Sequence, residues 1–238
     1  MSTSLSLPAP LRLRTARDAA EQAQQLAQDI AGLMREALAA RGHASLRLSG
    51  GRSPVAFFKL LSLEALDWSR VTIGLVDDRW VADTHADSNA RLLREHLLQN
   101  AAAGAKFVPL VNAAATPEQG LDEARALQRR ELPDCDVLVL GLGEDGHTAS
   151  LFPDAVETPA AMRADNTAFV AAVRPTRAPH ARISLTLPAV LAARQLLLPV
   201  QGPVKRAVLQ RALSAPPSEL PVAAVLYGGT PLTVYDCD

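Results

Sequence analysis

The sequence predicts an α/β fold: a mostly parallel open sheet with helices on both faces, in a single domain over residues 1–238. Three observations carry this. Short apolar runs alternate with amphipathic stretches nearly throughout, the pattern of successive strand–helix–strand units. Hydrophobic residues make up 48% of the 238 but aromatics only 4%, so a large core is expected and it must be aliphatic. Several apolar runs also end in glycines or charges, as strands do where their carboxyl ends face a ligand.

The elements follow in order. Residues 18–40 carry Ala23, Leu26, Ala27, Ile30, Leu33, Met34 and Ala37 at three- and four-residue spacing, an amphipathic helix. Thr15 or Asp18 can cap it, with Glu21 the capping-box partner of Asp18, and Gly42 is the stop. Residues 45–49 read as a short alternating strand, broken by Gly50-Gly51-Arg52-Ser53-Pro54 before a helix over 55–61. Two glycines before a helix start let backbone N–H groups close on an anion, although an ordinary βα turn has the same look. Residues 71–76 form a buried strand ending in Asp77-Asp78-Arg79, where a ligand-facing strand end and a solvated loop are both open readings. A loop over 82–87 leads to a helix capped by Ser88.

Residues 107–110 form a short strand, and 116–130 a helix with Thr116 as cap and Pro117 in its first turn. The strand at 136–140 enters Gly141-Leu142-Gly143-Glu144-Asp145-Gly146-His147, with a short helix expected from Thr148 to Pro153. Residues 154–167 are irregular, 169–173 and 182–187 strands, 188–193 a short helix, 196–200 a strand and 204–213 a helix with Lys205 in its first turn. Strands at 222–226 and 232–235 are expected to close the sheet.

Composition narrows the function classes. The net charge is −1 with no basic block, which argues against nucleic acid or an anionic membrane as partner. No run of 18 apolar residues exists, so no membrane span is expected. The first twenty residues lack the apolar stretch of a secretory signal, and Pro8 and Pro10 weaken a transit-peptide reading. Two cysteines, Cys135 and Cys237, are too few for a disulfide framework or zinc cage and fit a reducing cytoplasm.

The turn at 141–147 carries the chemistry. Its G-x-G-x-x-G spelling suggests a dinucleotide fingerprint, but Pro153 cuts the next helix short and Arg174, not an acid, follows the next strand. His147 beside Asp145 suits proton transfer from water near neutral pH, with the carboxylate holding the imidazole tautomer. A capping Asp with a surface His gives the same pattern. His43, His85, His96 and His180 show no metal-ligand spacing and are expected to be solvated or structural, so no metal is expected.

Four stretches, SGGRSP (49–54), DDRWVADTHADSN (77–89), GLGEDGHTASLFP (141–153) and RISLTLPAV…QGPVK (182–205), together resemble the 6-phosphogluconolactonase family in order and spacing. The resemblance implies a deaminase/isomerase-like fold and hydrolysis of 6-phosphoglucono-δ-lactone to 6-phosphogluconate in the oxidative pentose phosphate pathway. It also implies a small sugar-phosphate lactone as partner and no required metal or cofactor. It assigns His147 as general base with Asp145 beside it. Gly50, Gly51 and Arg52 become the phosphate-side loop, and Arg79, Arg182 and Lys205 cations near the sugar phosphate, with Asp77 and Gly143 in the same substrate site. Arg52 stands where many members carry Ser or Thr, and Asp78 where they carry Glu. Glucosamine-6-phosphate deaminases share the D-G-H turn but continue into F-N-E-P, whereas this chain reads Ser150-Leu151-Phe152-Pro153. A non-catalytic sugar-phosphate sensor would need a DNA-binding extension, for which the sequence shows no signal. Oligomeric state is not legible.

Overall fold

Parallel and antiparallel pairing divide the strands between two sheets. The computed structural model describes residues 11–51 and 53–238, so Pro8, Pro10 and Arg52 lie outside the described residues. The first half runs β1 (Arg12–Thr15), α1 (Ala19–Arg41), β2 (Ala44–Leu48), α2 (Val55–Leu61), β3 (Val71–Leu75), β4 (Asp77–Arg79), α3 (Asn89–His96), β5 (Lys106–Val108) and α4 (Pro117–Glu131). The second half runs β6 (Val137–Val139), α5 (Thr158–Ala161), β7 (Val170–Val173), β8 (Arg182–Leu185), α6 (Leu187–Leu191), β9 (Gln195–Gln201), α7 (Gly202–Ala212), α8 (Val222–Leu226) and β10 (Leu232–Cys237).

Seven strands form one parallel sheet in the order β1-β10-β9-β6-β2-β3-β5. From β2 the chain first builds outward through β3 and β5, then returns to the other side of β2 with β6 and builds through β9 and β10. The crevice between the carboxyl ends of β2 and β6 is therefore the topological switch point, where open parallel sheets hold ligands. β2 is buried at all five residues, as a strand covered on both faces must be, so the expected alternation fails there. Arg47 fits this interior because its guanidinium donates to Gln128 Oε1 and Leu132 O, both at 2.8 Å, and lies over the Phe169 ring. Helix α1 lays Leu26, Ala27, Ile30 and Met34 into the core. Asp18 Oδ1 accepts the Glu21 N–H at 2.8 Å, but the Glu21 carboxylate takes the Arg17 N–H rather than that of Asp18, so the capping box is shifted by one residue.

The remaining strands form a small antiparallel sheet, β4-β8-β7, that the sequence did not announce. Asp77-Asp78-Arg79 is thus a strand, not a loop. Three further expectations are corrected. Residues 148–152 form no helix: Ala149 has φ 51° and Thr148 bridges to Leu151. The Ser150 N–H instead donates to Ser184 Oγ of β8, so the small sheet takes the hydrogen bond a helix would have used. Residues 222–226 are helix α8, entered through Pro221, with the Val222 N–H on Gly146 O. Five apolar residues do not separate strand from helix by periodicity. The sheet also begins earlier than expected, because Arg12–Thr15 pairs along β10.

Candidate active site

The carboxyl ends of four adjacent strands, β3, β2, β6 and β9, ring a cleft of about 460 Å³. Each delivers a turn that the sequence had singled out. β3 delivers Asp77, β2 delivers Gly50 and Gly51, β6 delivers Gly143 and His147, and β9 leads into α7 with Lys205. The small sheet adds Arg79 and Arg182. These eight predicted residues line one cleft, although they span more than 150 positions of sequence. Asp145 does not line it and stands behind His147; Arg52 lies outside the described residues.

The turn after β6 fixes the histidine from several sides. His147 Nδ1 meets Asp145 Oδ1 at 2.5 Å, and Asp145 also accepts the His147 N–H at 3.2 Å. The ring stacks on Phe152 with centroids 4.1 Å apart. With Nδ1 engaged, Nε2 is the ring nitrogen left for a water in the cleft. Burial works against the Asp145 carboxylate, but the His147 hydrogen bond and charge bring it below the ordinary carboxylate range. Asp145 is therefore the anion that would stabilise an imidazolium here. A Cβ on Gly143 would stand 2.1 Å from His147 Nδ1 and 2.5 Å from Asp145 Oδ1, so the glycine makes room for the pair. The N–H groups of Gly141, Gly143 and Gly146 all have protein partners: Ser49 Oγ, His147 O and Gly143 O.

Arg79 and Arg182 sit directly opposite each other in the β4–β8 ladder. Like charges so placed destabilise a sheet. Burial, and then the charge of Arg79, pull Arg182 below its ordinary pKa. Each guanidinium has one internal bond, Arg79 Nη1 to Asp87 O at 2.7 Å and Arg182 Nη2 to Pro179 O at 2.9 Å, and each keeps a buried Nε without a partner among the described residues. Two opposed cations with donors to spare, in a cleft, suit an anion. Lys205 adds a third positive charge on the lining.

Several residues that hold this arrangement were given no site role from the sequence. Asn89 lies over Gly50, where a Cβ would come within 1.9 Å of its Oδ1, and donates to Asp77 O at 2.8 Å. Ser150 Oγ donates to Asp77 Oδ2 at 2.5 Å. Asp78 accepts the N–H groups of Arg79, Asn89 and Ala90 and so caps α3; burial pushes its carboxyl up to about 6 against those bonds. Phe152 separates His147 from Arg182, whose guanidinium lies 5.7 Å from the ring centre. No spacing rule marks these residues, since most of their partners lie on other elements.

His43 and His96 stay outside the cleft, as expected. His85 and His180, expected to be solvated or structural, come together across two loops. His180 Nε2 meets Asp87 Oδ2 at 2.9 Å on the cleft wall, and the His85 ring lies edge-on to His180 at 5.3 Å. The His180 hydrogen bond holds the Asp87 carboxyl below its ordinary value.

Residues 17–234 match the family described as glucosamine-6-phosphate isomerases/6-phosphogluconolactonase. A 6-phosphogluconolactonase of Pseudomonas aeruginosa is 46% identical over 235 residues, covering 98% of each chain. One from Neisseria meningitidis serogroup A is 44% identical over 214 residues, covering 88% of this chain and 91% of that one. Among solved structures, a 6-phosphogluconolactonase from Shewanella baltica superposes with a TM-score of 0.93 at 41% identity, covering 98% of this chain and all of the other. A monomeric glucosamine-6-phosphate deaminase shares the fold at a TM-score of 0.77 and 17% identity.

Proposed function

Because the chain belongs to the glucosamine-6-phosphate isomerase/6-phosphogluconolactonase family, we propose that it is a carboxylic ester hydrolase that opens 6-phosphoglucono-δ-lactone to 6-phosphogluconate, the lactonase step of the oxidative pentose phosphate pathway. The observation that carries the mechanism is His147, held through Nδ1 by Asp145 and through its face by Phe152, in a cleft that also holds three cations.

His147 Nε2 takes a proton from water, and the hydroxide attacks C1 of the lactone. Asp145 holds the tautomer and stabilises the imidazolium, which then returns the proton to the ring oxygen as the ester bond breaks. A lactone is already activated, so one positioned base and a donor at the developing oxyanion suffice. Arg79 serves as that donor, since the glycine N–H groups of the β6 turn are already engaged. Arg182, Lys205 and the Gly50-Gly51 turn hold the 6-phosphate, and that binding fixes C1 against His147. Asp77, anchored by Ser150, faces the sugar between the two ends.

The deaminase reading differs at one place. Those enzymes' F-N-E-P carboxylate is absent from Ser150-Leu151-Phe152-Pro153, and Phe152 fills the space beside His147. No described helix is long and apolar enough to cross a membrane, and the two buried free cysteines fit the cytoplasm. Residues 1–238 act as one catalytic domain in this reading.

The test follows lactone opening at controlled pH against the spontaneous rate. His147→Ala is expected to lower kcat about 10²–10⁴-fold. Near-full turnover in this variant, or ammonia release from glucosamine 6-phosphate by the wild type, overturns the reading.

A further inference from the structure

Two loops meet at the mouth of the cleft, one between β4 and α3 and one between β7 and β8. The first contributes His85 and Asp87, the second His180. Their ligand atoms all lie within 4.8 Å of one another, the one such group of three His, Cys, Asp or Glu side chains among the described residues. His180 Nε2 is 2.9 Å and His85 Nδ1 3.8 Å from the same carboxylate oxygen, Asp87 Oδ2. Around a tetrahedral zinc, ligand atoms stand about 3.3 Å apart, so the observed spacings bracket what an ion requires. The three side chains are partly exposed, so small rotations bring them onto a common centre.

We propose that His85, Asp87 and His180 form a divalent transition-metal site of the zinc class, which ties the two loops together at the rim of the cleft. Two imidazoles and a carboxylate suit zinc and disfavour magnesium or calcium, which take oxygen ligands. Three protein ligands leave one position for water. The Asp87 N–H now rests on His85 Nδ1 at 3.1 Å, and ligation replaces that bond. Arg79 contacts the Asp87 backbone carbonyl rather than its carboxylate, and ligation also replaces the hydrogen bond between His180 Nε2 and Asp87 Oδ2. The nearby positive charge makes the site weaker than a closed four-ligand cage. The general-base pair, Asp145 and His147, belongs to a different turn and supplies none of the ligands.

The experiment is calorimetric titration of the intact, chelator-washed protein with zinc and, separately, with magnesium. One equivalent of zinc is expected to bind and magnesium not. His85→Ala and His180→Ala are each expected to weaken zinc binding on the order of 100-fold, with unchanged far-UV circular dichroism, while His43→Ala binds as the wild type does. His147→Ala separates this site from the general base. The proposal is overturned if no stoichiometric zinc binds, if His85→Ala and His180→Ala bind like the wild type, or if binding is lost in His147→Ala.

Discussion

The turns after β2 and after β6 look alike in sequence, a strand running into paired glycines, yet the glycines answer to opposite constraints. Gly51 has φ 103°, and a Cβ there would meet nothing within 4 Å, so it is a glycine for the sake of its backbone. Gly143 has no positive φ, yet a Cβ there would overlap His147 and Asp145, so it is a glycine for the sake of two side chains. Beside Gly51 there is room, although Asn89 fills the space over its neighbour Gly50; beside Gly143 there is none, because the catalytic pair occupies it. A glycine motif therefore does not by itself say whether the ligand or the protein fills the space that the glycine leaves.

Substitutions separate the two. Gly143→Ala displaces the His147 ring and is expected to lower kcat about 10²-fold with KM within a few-fold, measured in the lactone assay. A rise in KM with kcat intact would show that this turn holds the anion after all. The cations come next. Arg79→Gln is expected to lower kcat about 10²-fold or somewhat less, whether or not the lactone carries a phosphate. Arg182→Gln raises KM about tenfold or more for the phosphorylated lactone only. Identical profiles for the two variants would place both arginines on one anion, as their opposed positions in the ladder also allow.

Gly51→Ala is a backbone test. An L-residue at this φ costs about 1–2 kcal/mol, read by denaturant unfolding, while kcat stays within about threefold. A pH-dependent effect on stability alone concerns Asp78, which holds α3 and thereby Asn89 over Gly50. Its carboxyl is raised to about 6 in the fold from 3.8. The native state thus keeps a proton that the unfolded chain releases, so this group favours folding most below about pH 4 and loses that contribution as pH rises through 6. Across the window the stability of wild type relative to Asp78→Asn is expected to fall by up to about 3 kcal/mol, in urea melts at pH 4 and pH 7. A rising difference would mean that the three N–H bonds outweigh burial.

The parallel sheet was legible because helices α1, α3 and α4 are amphipathic and carry caps at their own starts, as Asp18, Ser88 and Thr116 show. His147, the cations and the glycines were legible because strand ends concentrate unusual residues. What escaped was set by partners far along the chain. The backbone of 148–152 is decided by Ser184, Asp77 is held by Ser150, and the His85–His180 contact joins loops 95 positions apart. The β4-β8-β7 sheet escaped for the same reason, since a three-residue strand of Asp, Asp and Arg carries no periodicity.

The strand at the edge of the large sheet has one further consequence. Among the described residues β1 has a single hydrogen-bonded neighbour, β10, the last strand in chain order. Arg12–Thr15 leaves the ribosome more than two hundred residues before Leu232 does. At roughly 5–20 residues per second that is on the order of ten to forty seconds. Throughout that interval the N-terminal strand has no native place to dock. The sheet is completed on that side only once Leu232–Cys237 has emerged, so a chain that stalls before β10 exposes the open edge of β9 and leaves β1 without its template.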